Sequence, residues 1–227
     1  GVSCGYCKAC LCGFDPICPH YGLLGETQDG GCADYIIAPA ANIVARPLEI
    51  SAIEGASLPI AAITAWSMLT RKAKVQPGET VLIHAGGSGV SVFAIQIAKL
   101  LGAKVITTVG SVEKAAKAQA LGADQVINYN EKPFREALKK KKVDVVLDHV
   151  GGDNFQDSLK CLAWGGRLVS CGATAGANIS LDLRHLFFKN ISILGSTTGS
   201  KADLIKVVEL AKSGAIKAII DSCYPIG

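Results

Sequence analysis

From residue 80 onward, short apolar blocks alternate with stretches whose apolar residues recur at helical spacing. Thr80-Val-Leu-Ile-His84 is one such block, and Ala85-Gly-Gly-Ser-Gly89 follows it as a turn. A helical run over Val92–Leu101 closes on Gly102. Further strands are predicted at Lys104–Val109, Gln125–Ile127, Val143–Asp148, Arg167–Cys171 and Ile191–Leu194. Helices are predicted between them at Val112–Leu121, Phe134–Lys142 and Phe155–Leu162. Short, almost wholly apolar strands separated by helices point to an α/β fold, with a parallel sheet covered on both faces. Gly102-Ala103 and Gly122-Ala123 fit glycine caps that end a helix before a strand. An amphipathic helix at Ala202–Ser213 and a strand near Ala218–Ile220 come last.

The first part of the chain has a different rhythm. Residues 1–34 hold Gly, Asp, Pro and Cys without a sustained period, and read as loop. Tyr35–Ala38 and Asn42–Ala45, divided by Pro39, suit edge strands. Ser51 with Glu54 three residues on forms a capping-box pattern. Helical spacing then runs from Ile53 to Lys74, with Pro59 marking a break.

Composition narrows the classes. The 227 residues are 49% hydrophobic with 25 glycines, so a disordered chain is excluded. No apolar run reaches the ~18 residues a membrane span requires. The net charge of +4 is mild and calls for no nucleic-acid or membrane partner. Lys139–Lys142 is a charge block that reads as a solvated helix end. The chain opens on Gly1, close to a cysteine cluster, and closes on Tyr224-Pro-Ile-Gly227, which resembles a strand entering a turn; a fragment of a longer protein is expected.

Two motifs carry chemistry. Ala85 to Ser91 lies between a strand and a helix, where small residues admit a dinucleotide diphosphate to backbone N–H groups. Gly86, Gly87, Ser88, Gly89 and Val90 are therefore candidate cofactor contacts, although serines at 88 and 91 occupy the later glycine places of G-x-G-x-x-G. At the end of the second strand, Val109-Gly110-Ser111 lacks the acid that would hold the ribose of NAD. Ser111 and Lys114 suit a 2′-phosphate, favouring NADP(H) over NAD(H). The second motif is Cys4-x-x-Cys7-x-x-Cys10 followed by Cys18. Four thiolates on a short loop form a closed tetrahedral site for one structural Zn²⁺. Cys12 and His20 are rivals for the fourth place, and free or disulfide-bonded cysteines are the alternative. Cys32 reads as a small packed residue. Local crowding of cysteines favours a metal in a reducing, cytoplasmic setting over a secreted disulfide scaffold.

In this order and separation, the two motifs resemble the zinc-containing medium-chain alcohol dehydrogenase and quinone reductase superfamily. Gly1 to Cys10 is similar to its structural-zinc lobe, Asp29-Gly-Gly-Cys-Ala-Asp-Tyr35 to the segment after it, and Leu58 to Trp66 to the helix entering its cofactor domain. Asp148-His-Val-Gly151 and Gly195-Ser-Thr-Thr198 are similar to its cofactor-side loops. The resemblance implies a Rossmann domain, doubly wound on a six-stranded parallel sheet, plus part of a GroES-like β domain carrying the zinc lobe. The implied divisions are 1–61 for the GroES-like part, 62–199 for the Rossmann domain and 200–227 for the start of the return. It places the nicotinamide near Val150, Cys171, Gly172, Ala173, Gly195, Ser196 and Thr197, with Thr64 behind the ring and Tyr129 beside the 2′-phosphate. The third catalytic-zinc ligand of zinc-dependent members would fall at about Ile60, which cannot ligate a metal.

The implied activity is hydride transfer between NAD(P) and a small alcohol or carbonyl compound, with the nicotinamide supplying the hydride chemistry. An NADPH-dependent quinone or enoyl reductase without catalytic zinc is the alternative, and a non-enzymatic nucleotide-binding protein of the same fold is a second. A zinc-ribbon nucleic-acid module is disfavoured, because Lys8 is the basic residue its cysteine lobe offers. The strand at Ile191–Leu194 leaves a sheet edge to be covered, and the resemblance implies a homodimer or homotetramer joined there.

Overall fold

Two hydrophobic clusters lie on opposite faces of one sheet in the computed structural model, which describes residues 1–139 and 141–225. The strands are β1 (Thr80–Ile83), β2 (Lys104–Val109), β3 (Gln125–Asn128), β4 (Val143–Asp148), β5 (Leu162–Ser170) and β6 (Ser192–Gly195). All neighbouring pairs are parallel, in the order β3-β2-β1-β4-β5-β6. This is the doubly wound Rossmann order, whose direction reverses between β1 and β4. Side chains alternate across the sheet. Val81, Ile83, Val105, Val145, Leu147 and Val169 enter one cluster, while Leu82, Ile106, Val146 and Leu168 enter the other. Each such burial stabilises the fold by about 1.5–3 kcal/mol, so a one-residue slip in register would be heavily penalised.

The helices are α1 (Lys8–Leu11), α2 (Ala52–Ser57), α3 (Ala61–Trp66), α4 (Gly89–Leu100), α5 (Val112–Ala120), α6 (Phe134–Ala137), α7 (Asn154–Cys161), α8 (Leu183–Phe188) and α9 (Lys201–Lys212). Ser51 and Glu54 form the expected capping box on α2, and the chain breaks before α3 at the expected proline. From Ser67 to Lys72 the helix loosens into a π-helical turn. None of the helices described is long and apolar enough to cross a membrane.

Several expected elements differ. Tyr35–Ala38 and Asn42–Ala45 are not strands, and Ala40–Asn42 is a 3₁₀ turn. Tyr35 and Ile37 are 93% and 97% exposed, with no strand beside them among the described residues to complete a ladder. Ala218–Ile220 is irregular too; the backbone at Lys217 is satisfied instead by the Gln96 side-chain amide of α4, at 2.8 and 3.0 Å. The helix at α6 ends at Ala137, Lys139 has a positive φ of 56°, and Lys140 lies outside the described residues. Tyr224 and Pro225 form no strand, while Ile226 and Gly227 lie outside the description. β5 starts at Leu162, pairs with Val143, and resumes its register at Arg167 after an irregularity.

Candidate functional site

The turn between β1 and α4 sits at the switch point of the sheet. β1 ends at Ile83, one residue before His84, because Ala85 bends into a positive φ of 48°. The Gly86 amide donates to the Thr108 carbonyl at 2.7 Å and the Ser88 amide to the Ala85 carbonyl at 2.8 Å. A Cβ on Gly86 would come within 2.5 Å of Thr107 Oγ1, and one on Gly87 within 3.2 Å of Lys114 Cδ. Ser88 caps α4 by accepting the Ser91 amide at 3.2 Å. Gly89 and Val90, at the first turn of the helix, have no carbonyl behind them inside it. Their N–H groups, with the positive end of the helix dipole, form an anion-attracting mouth.

Two cavities meet at this turn. One, about 470 Å³, is lined by Ser88, Gly89, Val90, Cys171, Gly172 and Ile60 among others. The second, about 680 Å³, includes Ser88, Tyr129 and Val150. Ser88, His149 and Thr174 line both. Thr64, Ser111, Lys114, Ala173, Gly195, Ser196 and Thr197 line neither. Thr64 is buried and hydrogen-bonds Thr198 at 3.3 Å. Ser196 has a buried hydroxyl without a partner, and its amide donates to Ser170 at 2.9 Å. Gly195 and Thr197 are exposed at the end of β6. Val150 and Gly151 donate their amides to the buried Asp148 carboxylate at 2.9 and 3.2 Å. The Val150 carbonyl accepts the Ala175 amide at 2.7 Å, which ties down the loop containing Cys171, Gly172 and Ala173. Burial, with Asp148 nearby, pushes the Cys171 thiol up to about 11, so it stays protonated.

At the end of β2, Ser111 caps α5 by accepting the Lys114 amide at 3.2 Å. The Lys114 stem lies against Gly87, and Tyr129 lies against Gly110. Glu113 is turned away into an ion pair with Lys117 at 2.7 Å. The rim of this end of the crevice therefore presents a hydroxyl, an ammonium stem and a phenol.

Sequence reasoning missed the polar network beneath the turn. His84 is buried, with its ring nitrogens 3.2 Å from Thr108 Oγ1 and 2.8 Å from Ser158 Oγ. Burial lowers its pKa to about 4, against the opposing pull of Asp148. His149 Nε2 lies 2.9 Å from Ser88 Oγ and 3.0 Å from Ser91 Oγ. Burial also lowers the His149 pKa. The available signal was a histidine at the carboxyl end of two central strands, β1 and β4.

The cysteine lobe stands apart. α1 separates Cys7 from Cys10 by one turn, and the short 3₁₀ turn Asp15–Ile17 returns Cys18 to them. Sulfur pairs lie 3.5 Å (Cys7–Cys10), 3.6 Å (Cys18–Cys4) and 3.9 Å (Cys4–Cys10) apart. Four sulfurs each ~2.3 Å from one ion would be ~3.8 Å from one another, so this donor set fits a tetrahedral soft metal. Among the described residues this is the one group of three or more such ligands. Cys12 and Cys32 are exposed and outside it; His20 contributes its backbone N–H to Cys18 Sγ at 3.4 Å. The lobe docks through Asp15, which accepts the Lys201 amide at 3.2 Å, and through Phe14 under Arg71 and Lys72.

The sequence model described as "Zinc-binding dehydrogenase" matches residues 89–213. An alcohol dehydrogenase of Geobacillus stearothermophilus is 30% identical over 97% of this chain and 65% of its own length. Quinone oxidoreductase 1 of Escherichia coli is 42% identical over 65% of this chain and 46% of its own. A solved NAD-dependent alcohol dehydrogenase superposes with a TM-score of 0.90 at 43% identity, covering 95% of this chain and 64% of that one. The chain thus spans between about half and two thirds of these relatives. With the sheet order, the helix-capping turn and a family match across more than half its residues, the chain belongs to the zinc-binding dehydrogenases, within the medium-chain dehydrogenase/reductase superfamily.

Proposed function

We propose that this chain binds a nicotinamide dinucleotide and serves a zinc-containing, alcohol dehydrogenase-like oxidoreductase acting on a small alcohol, aldehyde or ketone. The observation that carries this reading is the β1–α4 turn. Gly86 leaves no room for a side chain, Gly87 brings the backbone against the movable Lys114 stem, and the N–H groups of Gly89 and Val90 open at the switch point. Bound nicotinamide supplies the carbon that gives or takes a hydride. The chain's own residues orient it. The first turn of α4 holds the diphosphate, and Val150 with the 171–173 loop walls one side. The buried, unpartnered Ser196 hydroxyl gives a polar group of the cofactor a place to bond. Thr64 braces Thr198 of the same loop.

NADP(H) is the proposed form. Ser111, Lys114 and Tyr129 gather at the rim, and Glu113 is engaged with Lys117 rather than offered to a ribose. One structural zinc is assigned to Cys4, Cys7, Cys10 and Cys18, where four sulfurs leave no position for substrate. The proposed divisions are residues 1–61, 62–199 and 200–227. The free thiols fit a reducing, cytoplasmic setting, and the β6 edge suits pairing with another copy in a dimer or tetramer.

A second reading, an NADPH-dependent quinone or enoyl reductase, is favoured by one feature. Ile60 lines the cavity beside Ser88–Val90, at the place where the family resemblance puts the third catalytic-zinc ligand of zinc-dependent members, and isoleucine cannot ligate a metal. Calorimetric titration with NADPH and NADH, together with a zinc count, tests the proposal. Tighter NADPH binding and one zinc per chain are expected. Binding of neither nucleotide would defeat it.

A further inference from the structure

The cysteine lobe meets the Rossmann part at the start of α9, and α9 follows directly on the loop that the resemblance places beside the nicotinamide. The lobe's grip is the dipeptide Phe14-Asp15, which lies between Cys10 and Cys18. The Phe14 amide donates to the Ala9 carbonyl of α1 at 2.9 Å, and the Cys18 amide donates to the Asp15 carbonyl at 2.9 Å. Both residues are thus held by the backbone that carries the four sulfurs. Outward, the Asp15 carboxylate accepts the Lys201 amide at 3.2 Å. Lys201 is the first residue of α9, so its N–H has no carbonyl inside the helix. The capping box occupies the amides of Ser200 and Asp203 at 2.8 and 3.2 Å. Lys201 is left to an acceptor 186 residues earlier in the chain. A carboxylate there also meets the positive end of the helix dipole.

The far side of this joint is packed as closely. Ser196, Thr198 and Ser200 are buried. A Cβ on Gly199 would come within 2.5 Å of the Ile63 carbonyl of α3, and Thr198 bonds Thr64 of the same helix. Arg71 donates to the Asp203 carboxylate at 2.8 Å and to the Ser200 hydroxyl at 3.3 Å. Its guanidinium and the Lys72 ammonium stand 5.8 and 5.1 Å from the centroid of the Phe14 ring. A close-packed interior transmits strain, so a shift of Asp15 passes through Lys201 and Ser200 into the loop. The turn between β1 and α4 is separate from this chain of contacts, because it bonds to Thr108 of β2 and to His149.

We infer that Asp15 is a positioning residue for the nicotinamide: its carboxylate fixes the first turn of α9 and so sets the 195–199 loop against the ring end of the cofactor, leaving the diphosphate mouth at α4 unaffected. This rests on the nicotinamide reading given above. Asp15 touches no reacting atom and acts through Lys201 and Ser200. The cysteine lobe thereby gains a role in cofactor binding besides its own folding.

The test is calorimetric titration of the zinc-loaded chain with probes that differ by the nicotinamide ring: NADPH against 2′-phospho-ADP-ribose, and NADH against ADP-ribose. Asp15→Ala removes the acceptor, and Asp15→Asn keeps a carbonyl oxygen in its place. Asp15→Ala should weaken the dinucleotides by about two- to tenfold, the range one hydrogen bond allows, and leave the ring-free nucleotides unchanged. Asp15→Asn should restore most of the loss. Equal loss for both kinds of probe, loss for neither, or an Asn variant as weak as the Ala variant would overturn the inference. The unsubstituted chain provides a second measurement that needs no variant to fold, since coupling between two sites is reciprocal. Dinucleotide should slow amide exchange at Lys201 several-fold beyond what its ring-free counterpart does. Equal protection of Lys201 by both would overturn the inference while leaving the nicotinamide reading intact. Failure of all four probes to bind at millimolar concentration would defeat the nicotinamide reading, and this inference with it.

Discussion

Replacing Gly86 by alanine places one methyl group where the turn has no space for it. The added Cβ would lie 2.5 Å from Thr107 Oγ1, 3.1 Å from Thr107 Cγ2 and 3.3 Å from Val109 Cγ1. Thr107 is buried, and its hydroxyl donates to the Ile83 carbonyl at 2.7 Å. Relief therefore requires either a backbone shift, at about 1–3 kcal/mol for an overpacked core, or rotation of Thr107. Rotation would leave a buried carbonyl without its donor, at about 1–3 kcal/mol. The two routes compete, so the total is about 1–3 kcal/mol. At roughly 2–4 °C per kcal/mol for a chain of this size, the melting temperature falls by about 2–12 °C. Gly89→Ala is the matched control. Its Cβ would meet Ala61 Cβ at 3.5 Å, an ordinary contact, and at the first helical position alanine costs no strain. Differential scanning calorimetry should show Gly86→Ala destabilised and Gly89→Ala unchanged, while Gly89→Ala weakens nucleotide binding by narrowing the mouth. Equal melting temperatures for Gly86→Ala and the unsubstituted chain would refute the steric argument.

Three further outcomes are expected. Cys7→Ser should reduce zinc from about one per chain to near zero and unfold the lobe, seen as faster amide exchange at Cys18 and at Lys201, whose amide rests on Asp15; retained zinc would rule out the four-cysteine set. Ser111→Asp sets a carboxylate against the 2′-phosphate and should shift the NADPH-to-NADH affinity ratio by at least about tenfold toward NADH; an unmoved ratio would remove Ser111 from the cofactor site. The pKa of His84 in the folded chain, at about 4, lies below its unfolded value, so the unfolded state binds the extra proton. Stability is full above about pH 6.5 and is lost as pH falls toward 4, at about 1.4 kcal/mol per unit. From this group alone, urea unfolding at pH 7 and pH 5 should differ by about 2 kcal/mol, and His84→Gln should shrink the difference by that amount while leaving the smaller part due to His149.

The sheet was legible because its strands are local. Val81, Leu82 and Ile83 are apolar in succession since both faces are covered, and that pattern needs no knowledge of neighbours. Tyr35–Ala38 shows how the same signal fails. Its apolar residues suit a strand, but a strand exists only beside another, and no partner lies alongside among the described residues. Helix ends failed for backbone reasons. α6 stops short of the expected Lys142 with Lys139 at positive φ, whereas glycine caps marked the ends of α4 and α5. The four cysteines could be read from spacing because their loop spans only fifteen positions, and the structure brings their sulfurs together. His149 was visible only as part of a loop tetrapeptide. Its partners Ser88 and Ser91 lie about sixty residues earlier, and they meet it only because β4 pairs with β1.

The central claim is that the first turn of α4 grips a diphosphate. The most direct measurement is a backbone NMR titration with NADPH and with NADH, following the amides of Gly87, Gly89, Val90 and Ser91. The account predicts saturable shifts concentrated at these four amides and at Val150, reaching saturation at lower NADPH than NADH. Resonances at the turn that stay in place with both nucleotides at millimolar concentration would contradict it.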